Sequence, residues 1–145
     1  MLSTRYLLDS SAILNCFDFS FQPGNEYLMP PKAADECLDL RSRELVQSAL
    51  QSGLLRLHSP SQASLESAKA RARALGTRLS AADLDVVAVA LDLAGEGKPF
   101  TTLSDDFSLQ NTLKSLKLPF EGVLRGKIRR QKAFSPPNPT NNVNL

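Results

Sequence analysis

Short β-prone segments alternate with longer helical patterns along this chain of 145 residues, and this alternation constrains the fold more than any other feature. The β-prone stretches fall at residues 4–8, 28–29, 54–58, 99–103 and 120–124. The helical patterns fill the intervals, over residues 32–51, 60–76, 80–94 and 107–117. Strands that alternate with helices are typical of a parallel sheet covered by helices. The sequence therefore predicts an α/β fold with a mostly parallel sheet.

Charge divides the chain into an acidic body and a basic end. Residues 1–120 hold 12 Lys and Arg against 14 Asp and Glu, whereas residues 121–145 hold five basic residues against one acid. Residues 133–145 include three prolines and four asparagines and show no helical or strand periodicity. We predict a folded domain at residues 1–124 and a flexible tail at residues 125–145. The charge split suggests a polyanionic partner.

Composition excludes several classes of protein. No apolar run approaches the roughly 20 residues that a membrane span requires, so we expect no membrane partner. Cys16 and Cys37 are too few for a disulfide scaffold or a four-cysteine zinc site. This cysteine usage favours a reducing compartment, and we expect a cytoplasmic protein.

Acidic residues stand where the predicted strands end and the helices begin. Asp9 follows the first strand, and Asp105 and Asp106 follow a later one. The carboxyl ends of parallel strands share one edge of the sheet, which is where ligands bind in such folds. Glu36 lies on the apolar side of its predicted helix, and Asp83 opens another helix in a capping-box pattern. Carboxylates of this kind suit Mg²⁺ or Mn²⁺. The alternative is that each acid only caps a helix, a contribution of about 1 kcal/mol.

Helical geometry distinguishes Asp83 from its neighbour Asp85. The two lie about 200° apart around a helix, so a single pocket is open to only one of them. Asp85 shares a face with Asp92, and we predict that this face is a solvent-exposed stripe. Asp83 is therefore the candidate for the site.

Four segments together resemble the acidic motifs of the PIN-domain ribonucleases. They read YLLDSSA from Tyr6, ADECL from Ala34, LSAADLDVVAVAL from Leu79 and TLSDDF from Thr102. The string SDDFSLQN from Ser104 is similar to the Nob branch, whose endonucleases trim the 3′ end of small-subunit ribosomal RNA. The resemblance spans residues 6–122 and implies a PIN-like three-layer α/β/α fold.

The resemblance also implies a metal-dependent endoribonuclease site that binds Mg²⁺ or Mn²⁺ and leaves a 3′-hydroxyl and a 5′-phosphate. The matching positions are the acids Asp9, Glu36, Asp83 and Asp106, with Asp105 beside them, and the supporting hydroxyls Ser11 and Ser104. The implied partners are pre-rRNA in a small-subunit precursor and its assembly factors. Members of the Nob branch usually continue into a zinc ribbon with two Cys-x-x-Cys pairs. This chain contains no such pair, and we expect no zinc within it.

Positive charge for RNA binding is predicted in the tail, because an acidic pocket alone repels phosphates. The tail residues are Arg125, Lys127, Arg129, Arg130 and Lys132. A second basic run scatters around a helix and is predicted to be solvated surface; it consists of Lys69, Arg71, Arg73 and Arg78.

Two other functions agree with the same residues. One is a VapC-type toxin ribonuclease, which would act on transfer or messenger RNA and be inhibited by a small protein partner. The other is a non-catalytic RNA-binding or assembly module on the same fold.

Overall fold

Short parallel strands build the central sheet. The computed structural model describes residues 4–123, and within them every neighbouring pair of strands runs parallel. The strands are β1 (Arg5–Leu8), β2 (Glu26–Met29), β3 (Leu55–Leu57), β4 (Thr101–Leu103) and β5 (Phe120–Glu121). Their order across the sheet is β3-β2-β1-β4-β5. The chain therefore runs outward from β1 to β3 and then returns to the other side of β1.

Helices connect these strands and cover both faces of the sheet. They are α1 (Ser11–Leu14), α2 (Pro31–Asp35), α3 (Leu40–Ser52), α4 (Gln62–Leu75), α5 (Ala81–Gly95) and α6 (Phe107–Ser115). Right-handed connections that run in opposite directions along a sheet place their helices on opposite faces. The predicted three-layer α/β/α architecture is confirmed. No helix within residues 4–123 has the length and apolar character needed to cross a bilayer.

Helix α5 lies at the centre of the packing. It contacts α2, α4, α6 and strand β1, and its residues 86–90 are completely buried. A helix that is apolar on all sides is stable only when other elements surround it. The capping box that starts α5 is present as predicted, with Asp83 N–H donating to Ser80 Oγ at 3.1 Å and Ser80 N–H donating to Asp83 Oδ2 at 3.4 Å. Asp83 is thus anchored at the first turn of the most buried helix.

The predicted single helix over residues 32–51 is wrong. The chain forms α2, leaves helical structure after Glu36, and starts again at α3. Asp39 explains the restart, because its side chain accepts a hydrogen bond from Ser42 N at 3.0 Å and so caps α3. Glu36 consequently lies at the C-terminal end of a short helix and is exposed, so the prediction that it lies on the apolar side of a long helix is wrong.

Candidate active site

The crevice between the ends of β1 and β4 is the point where the order of the strands reverses. Ligand sites in open parallel sheets form at this switch point. Asp9 directly follows β1, and Ser104, Asp105 and Asp106 directly follow β4. The Asp9 amide donates to the Leu103 carbonyl at 3.2 Å, which holds the two strand ends side by side. The predicted acids on these two strands therefore do come together.

Asp9 is buried, with 2% of its surface exposed, and donors surround it. Its Oδ1 accepts from Ser11 Oγ at 2.6 Å and from Ala12 N at 3.2 Å, while Oδ2 accepts from Ser104 Oγ at 2.6 Å. Both serines predicted as supporting hydroxyls thus bond directly to Asp9. Because an ionised carboxylate offers about four acceptor positions, at least one remains for a further ligand.

The two serines connect Asp9 to the loop after β4. Ser104 Oγ accepts from Asp106 N at 3.1 Å, and Ser11 Oγ accepts from Asp105 N at 2.9 Å. Each hydroxyl therefore receives one backbone hydrogen bond and passes its own hydrogen to Asp9. These bonds fix the orientation of the carboxylate relative to the start of α6.

Two further residues of this network were not predicted. Ser10, which is 9% exposed, donates from Oγ to Glu36 Oε1 at 2.6 Å and so ties the end of α2 to the end of β1. Buried Gln110 donates from Nε2 to the Ser104 carbonyl at 2.6 Å. The only feature of the sequence that points to Ser10 is its position next to Asp9. The only feature that points to Gln110 is its position one helical turn after Asp106.

Asp83 and Asp106 do cap helices, as the structural alternative requires. Asp106 Oδ1 accepts from Leu109 N at 3.1 Å, and Asp83 Oδ2 belongs to the capping box of α5. Each cap uses one carboxylate oxygen. The other oxygen of each has no hydrogen-bond partner among residues 4–123 and is available to a ligand.

Neighbouring carboxylates raise one another's pKa at this site. Burial raises the pKa of Asp83, and the charges of Asp106 and Glu36 raise it further. Burial also raises the pKa of Asp9 from 3.8 to about 6, with the charge of Asp83 adding to it against the lowering effect of the two serines. Among the neighbouring charges, that of Asp106 has the largest effect on the pKa of Asp83.

None of the carboxylates of Asp9, Glu36, Asp83 and Asp106 forms an ion pair within residues 4–123. The ion pairs of Arg5 and Lys69 use Glu26, Glu96 and Glu66 instead. Within residues 4–123, no three acidic, histidine or cysteine side chains lie close enough together to enclose a metal ion by themselves. Mg²⁺ usually keeps several waters and takes only one or two carboxylates from the protein, so a site built from these acids would hold the ion largely through water.

The prediction of a solvent-exposed stripe through Asp85 and Asp92 is wrong. Asp85 is buried, and Asp92 accepts hydrogen bonds from Ser61 N, Ser61 Oγ and Ser64 Oγ at 2.6–2.7 Å. This face of α5 therefore packs against the start of α4. Asp85 remains distinct from the site, because it lies on the opposite side of the helix from Asp83.

The predicted RNA-binding tail, residues 125–145, lies outside the described residues. The boundary of the folded domain at residue 124 stays a prediction for the same reason.

Comparison with known proteins identifies the class of protein. The profile of the family described as "PIN domain of ribonuclease" matches residues 6–93, a range that includes Asp9, Glu36 and Asp83. The parallel five-stranded sheet and the acids at its switch point agree with this match. The chain belongs to the PIN-domain family of ribonucleases.

Relatives in two branches of the family are similar to this chain. "Ribonuclease VapC3" of Aeropyrum pernix is 40% identical over 69% of this chain and 71% of its own length. "Endoribonuclease Nob1" of Pyrococcus abyssi is 34% identical over 87% of this chain and 73% of its own length. The protein of the same name from Methanothermobacter thermautotrophicus is 32% identical over 86% and 72%. The resemblance to the PIN family and to its Nob branch is confirmed, and all of these relatives are named ribonucleases.

Proposed function

We propose that this chain is a metal-dependent endoribonuclease that matures the 3′ end of small-subunit pre-rRNA. The observation that carries this proposal is the set of carboxylates around Asp9 and Asp83 at the switch point of the sheet, which raise one another's pKa and form no ion pair within residues 4–123. Buried negative charge without a protein cation is unfavourable unless a bound cation offsets it. The pre-rRNA substrate is supported by the resemblance to the Nob branch and by the Nob1 relatives.

The residues that would surround Mg²⁺ or Mn²⁺ are Asp9, Glu36, Asp83 and Asp106, with Asp105 beside them. One or two of these carboxylates would bind the ion directly and the others through water. When bound, the ion would polarise the phosphate and lower the pKa of a water molecule. The chain holds these carboxylates in place before any ligand arrives. Asp9 is fixed by three hydrogen bonds, and Asp83 and Asp106 are fixed by the helices that they cap. Such preorganisation avoids a cost of rearrangement during the reaction.

Asp9→Asn tests the proposal most directly, because it removes the buried charge and keeps the size of the side chain. We expect Mn²⁺-dependent cleavage of RNA to fall by at least about 100-fold, as the loss of several kcal/mol of electrostatic stabilisation implies. Asp35→Asn is the matched control, since Asp35 is exposed and lies beside Glu36 in the sequence. Undiminished cleavage by Asp9→Asn would reject the assigned role of Asp9.

A VapC-type toxin is the second candidate, and the 40% identity to the relative from A. pernix favours it. The substrate distinguishes the two. A nuclease of pre-rRNA cuts a small-subunit transcript near its mature 3′ end and leaves transfer RNA intact. Cleavage of transfer or messenger RNA, with inhibition by a small protein encoded beside this chain, would instead establish the toxin.

A non-catalytic RNA-binding module is the third candidate, and calorimetric titration with Mn²⁺ tests it. Heat of binding that disappears in Asp9→Asn supports the nuclease. Absence of metal binding, together with intact RNA binding, would favour the module.

A further inference from the structure

Three basic side chains line one groove, although they belong to a run that was predicted to scatter around a helix. Lys69 and Arg73 of α4 and Arg78 of the following loop surround a cavity of about 390 Å³ whose other walls include Leu79 and Leu84. Arg73 and Arg78 are exposed, as predicted for solvated surface, but the two share a groove with the half-buried Lys69 and are not scattered. Arg71 belongs to the same run and does not line the groove.

The local structure explains why the three cations converge. Lys69 and Arg73 are four residues apart, so they lie on the same face of α4. The helix ends at Gly76, whose φ of 66° is in the left-handed region, and the Gly76 N–H donates back to the helix. This turn reverses the chain and returns Arg78 to the side of Arg73.

The positive charge of the groove is largely unpaired. Among residues 4–123, Arg73 and Arg78 form no ion pair, and Lys69 approaches only the exposed Glu66, at 3.9 Å. An exposed pair at that distance contributes little. The groove can therefore accept a polyanion without first breaking a strong internal contact.

The groove adjoins the candidate active site along the chain and in the fold. Leu79 and Leu84 line it, and they directly flank the Ser80–Asp83 capping box that presents Asp83. The wall of the groove and the residue Asp83 thus share the start of α5. A strand bound across this turn would leave its flanking phosphates on the cations and one phosphate near the carboxylates.

We propose that the groove formed by Lys69, Arg73 and Arg78 binds the backbone phosphates of the RNA strand beside the bond that is cut. This inference rests on the proposed function and specifies how an acidic site keeps a polyanionic substrate. Leu79 and Leu84 provide an apolar floor on which a ribose or base packs. The contacts are to phosphate and apolar surface, so the groove adds affinity without reading a sequence.

Charge reversal inside and outside the groove tests its role. Arg73→Glu and Arg78→Glu are compared with Arg71→Glu, which changes the net charge equally and is an exposed position of α4 outside the groove. Binding of a fluorescent single-stranded RNA of about 20 nucleotides is measured in EDTA with the full chain, so that the tail is present throughout. We expect both groove variants to weaken binding about 5-fold or more and to reduce the salt slope by about 0.7 or more, because each lost phosphate contact releases fewer counterions. Arg71→Glu should weaken binding less than about 2-fold.

Kinetics with Mn²⁺ separates this role from a structural one. The groove contacts the substrate equally before and during the reaction, so Arg73→Glu should raise KM and leave kcat nearly unchanged. Equal weakening by Arg71→Glu, or wild-type binding by both groove variants, would overturn the groove even if the wild type cleaves RNA. If the wild type binds RNA through the groove but does not cleave it with Mn²⁺, the proposed function fails and the groove stands.

Discussion

The two ends of strand β1 handle charge in opposite ways. At the amino end, Arg5 reaches Glu96 at 2.6 Å and Glu26 at 3.9 Å, and both carboxylates are about half exposed. At the carboxyl end, Asp9 is buried and its neighbouring charges are also negative. One end of the strand thus carries a charge paired in ion pairs that serve the fold, and the other end carries a buried charge that forms no ion pair within residues 4–123 and costs stability. Charge that a fold leaves uncompensated is a better guide to function than charge alone.

The largest effect expected from removing charge at the site is the loss of cleavage in Asp83→Asn and Asp106→Asn. Asparagine keeps the helix caps, so stability should change little while the charge disappears. We expect RNA cleavage to fall by at least about 100-fold. Thermal unfolding, followed by circular dichroism, should shift by less than about 3 °C.

Asp105→Asn is the matched neighbour for Asp106→Asn. We expect a smaller loss of cleavage, because Asp106 has the largest charge effect on the pKa of Asp83 and caps α6 beside it. A larger loss for Asp105→Asn than for Asp106→Asn would exchange their assigned roles.

The pH dependence of stability should reveal the cost of burying Asp9. Its pKa is about 6 in the folded protein and near 3.8 when unfolded, so the folded state binds more protons between these values. The free energy of unfolding therefore decreases as pH rises from about 4 to about 6 and stays lower above that range. Asp9→Asn should remove this penalty and, after loss of about one hydrogen bond, stabilise the metal-free protein by about 2 kcal/mol at pH 7.

The measurement is urea unfolding in EDTA at several pH values, with the difference between wild type and Asp9→Asn plotted against pH. At pH 4 the advantage of the variant should largely vanish. A variant that is less stable than wild type at pH 7 would show that the Asp9 network contributes more than its buried charge costs.

Metal ions should stabilise the wild type by a smaller amount. An ion that binds only the folded state raises stability with concentration, by about 1–2 kcal/mol at concentrations some tenfold above its dissociation constant. We expect Mn²⁺ to raise the melting temperature by about 5 °C at neutral pH, and EDTA to reverse the change. The same addition should leave Asp9→Asn unchanged; an equal rise in that variant would place the ion elsewhere.

The smallest effect should come from the amino end of β1. Glu96→Gln removes one partner of Arg5 that is 44% exposed, so the free energy of unfolding should fall by about 0.5 kcal/mol or less. Cleavage should remain at the wild-type rate. A strong loss of activity in Glu96→Gln would show that the amino end of β1 contributes to function as well as to stability.

Local sequence patterns were sufficient for much of the fold. The strand at β1, the capping box at Ser80 and the glycine end of α4 each depend on a few adjacent residues, and the structure has all three. The break after Glu36 was missed, because apolar periodicity continued across it while Asp39 capped a new helix. The burial of Asp85 was missed because it depends on the packing of α4, which no local pattern specifies.

The candidate site was predictable only in part for a related reason. Asp9 and Ser104 are 95 positions apart, and only the parallel pairing of β1 with β4 brings them into contact. Motif resemblance supplied the acids and two hydroxyls. Ser10 and the basic groove depend on side-chain directions at the ends of elements, which the motifs do not encode.

The hydrogen bonds that connect Ser11 and Ser104 to Asp9 all donate toward Asp9. In both, a backbone amide donates to the hydroxyl and the hydroxyl donates to the carboxylate, so both chains of hydrogen bonds end at Asp9. A hydroxyl has a single hydrogen, and neither serine can take a proton from Asp9 without turning that hydrogen elsewhere. Asp9 therefore accepts hydrogen bonds from both serines. Any proton released during turnover must leave through solvent or through another side chain.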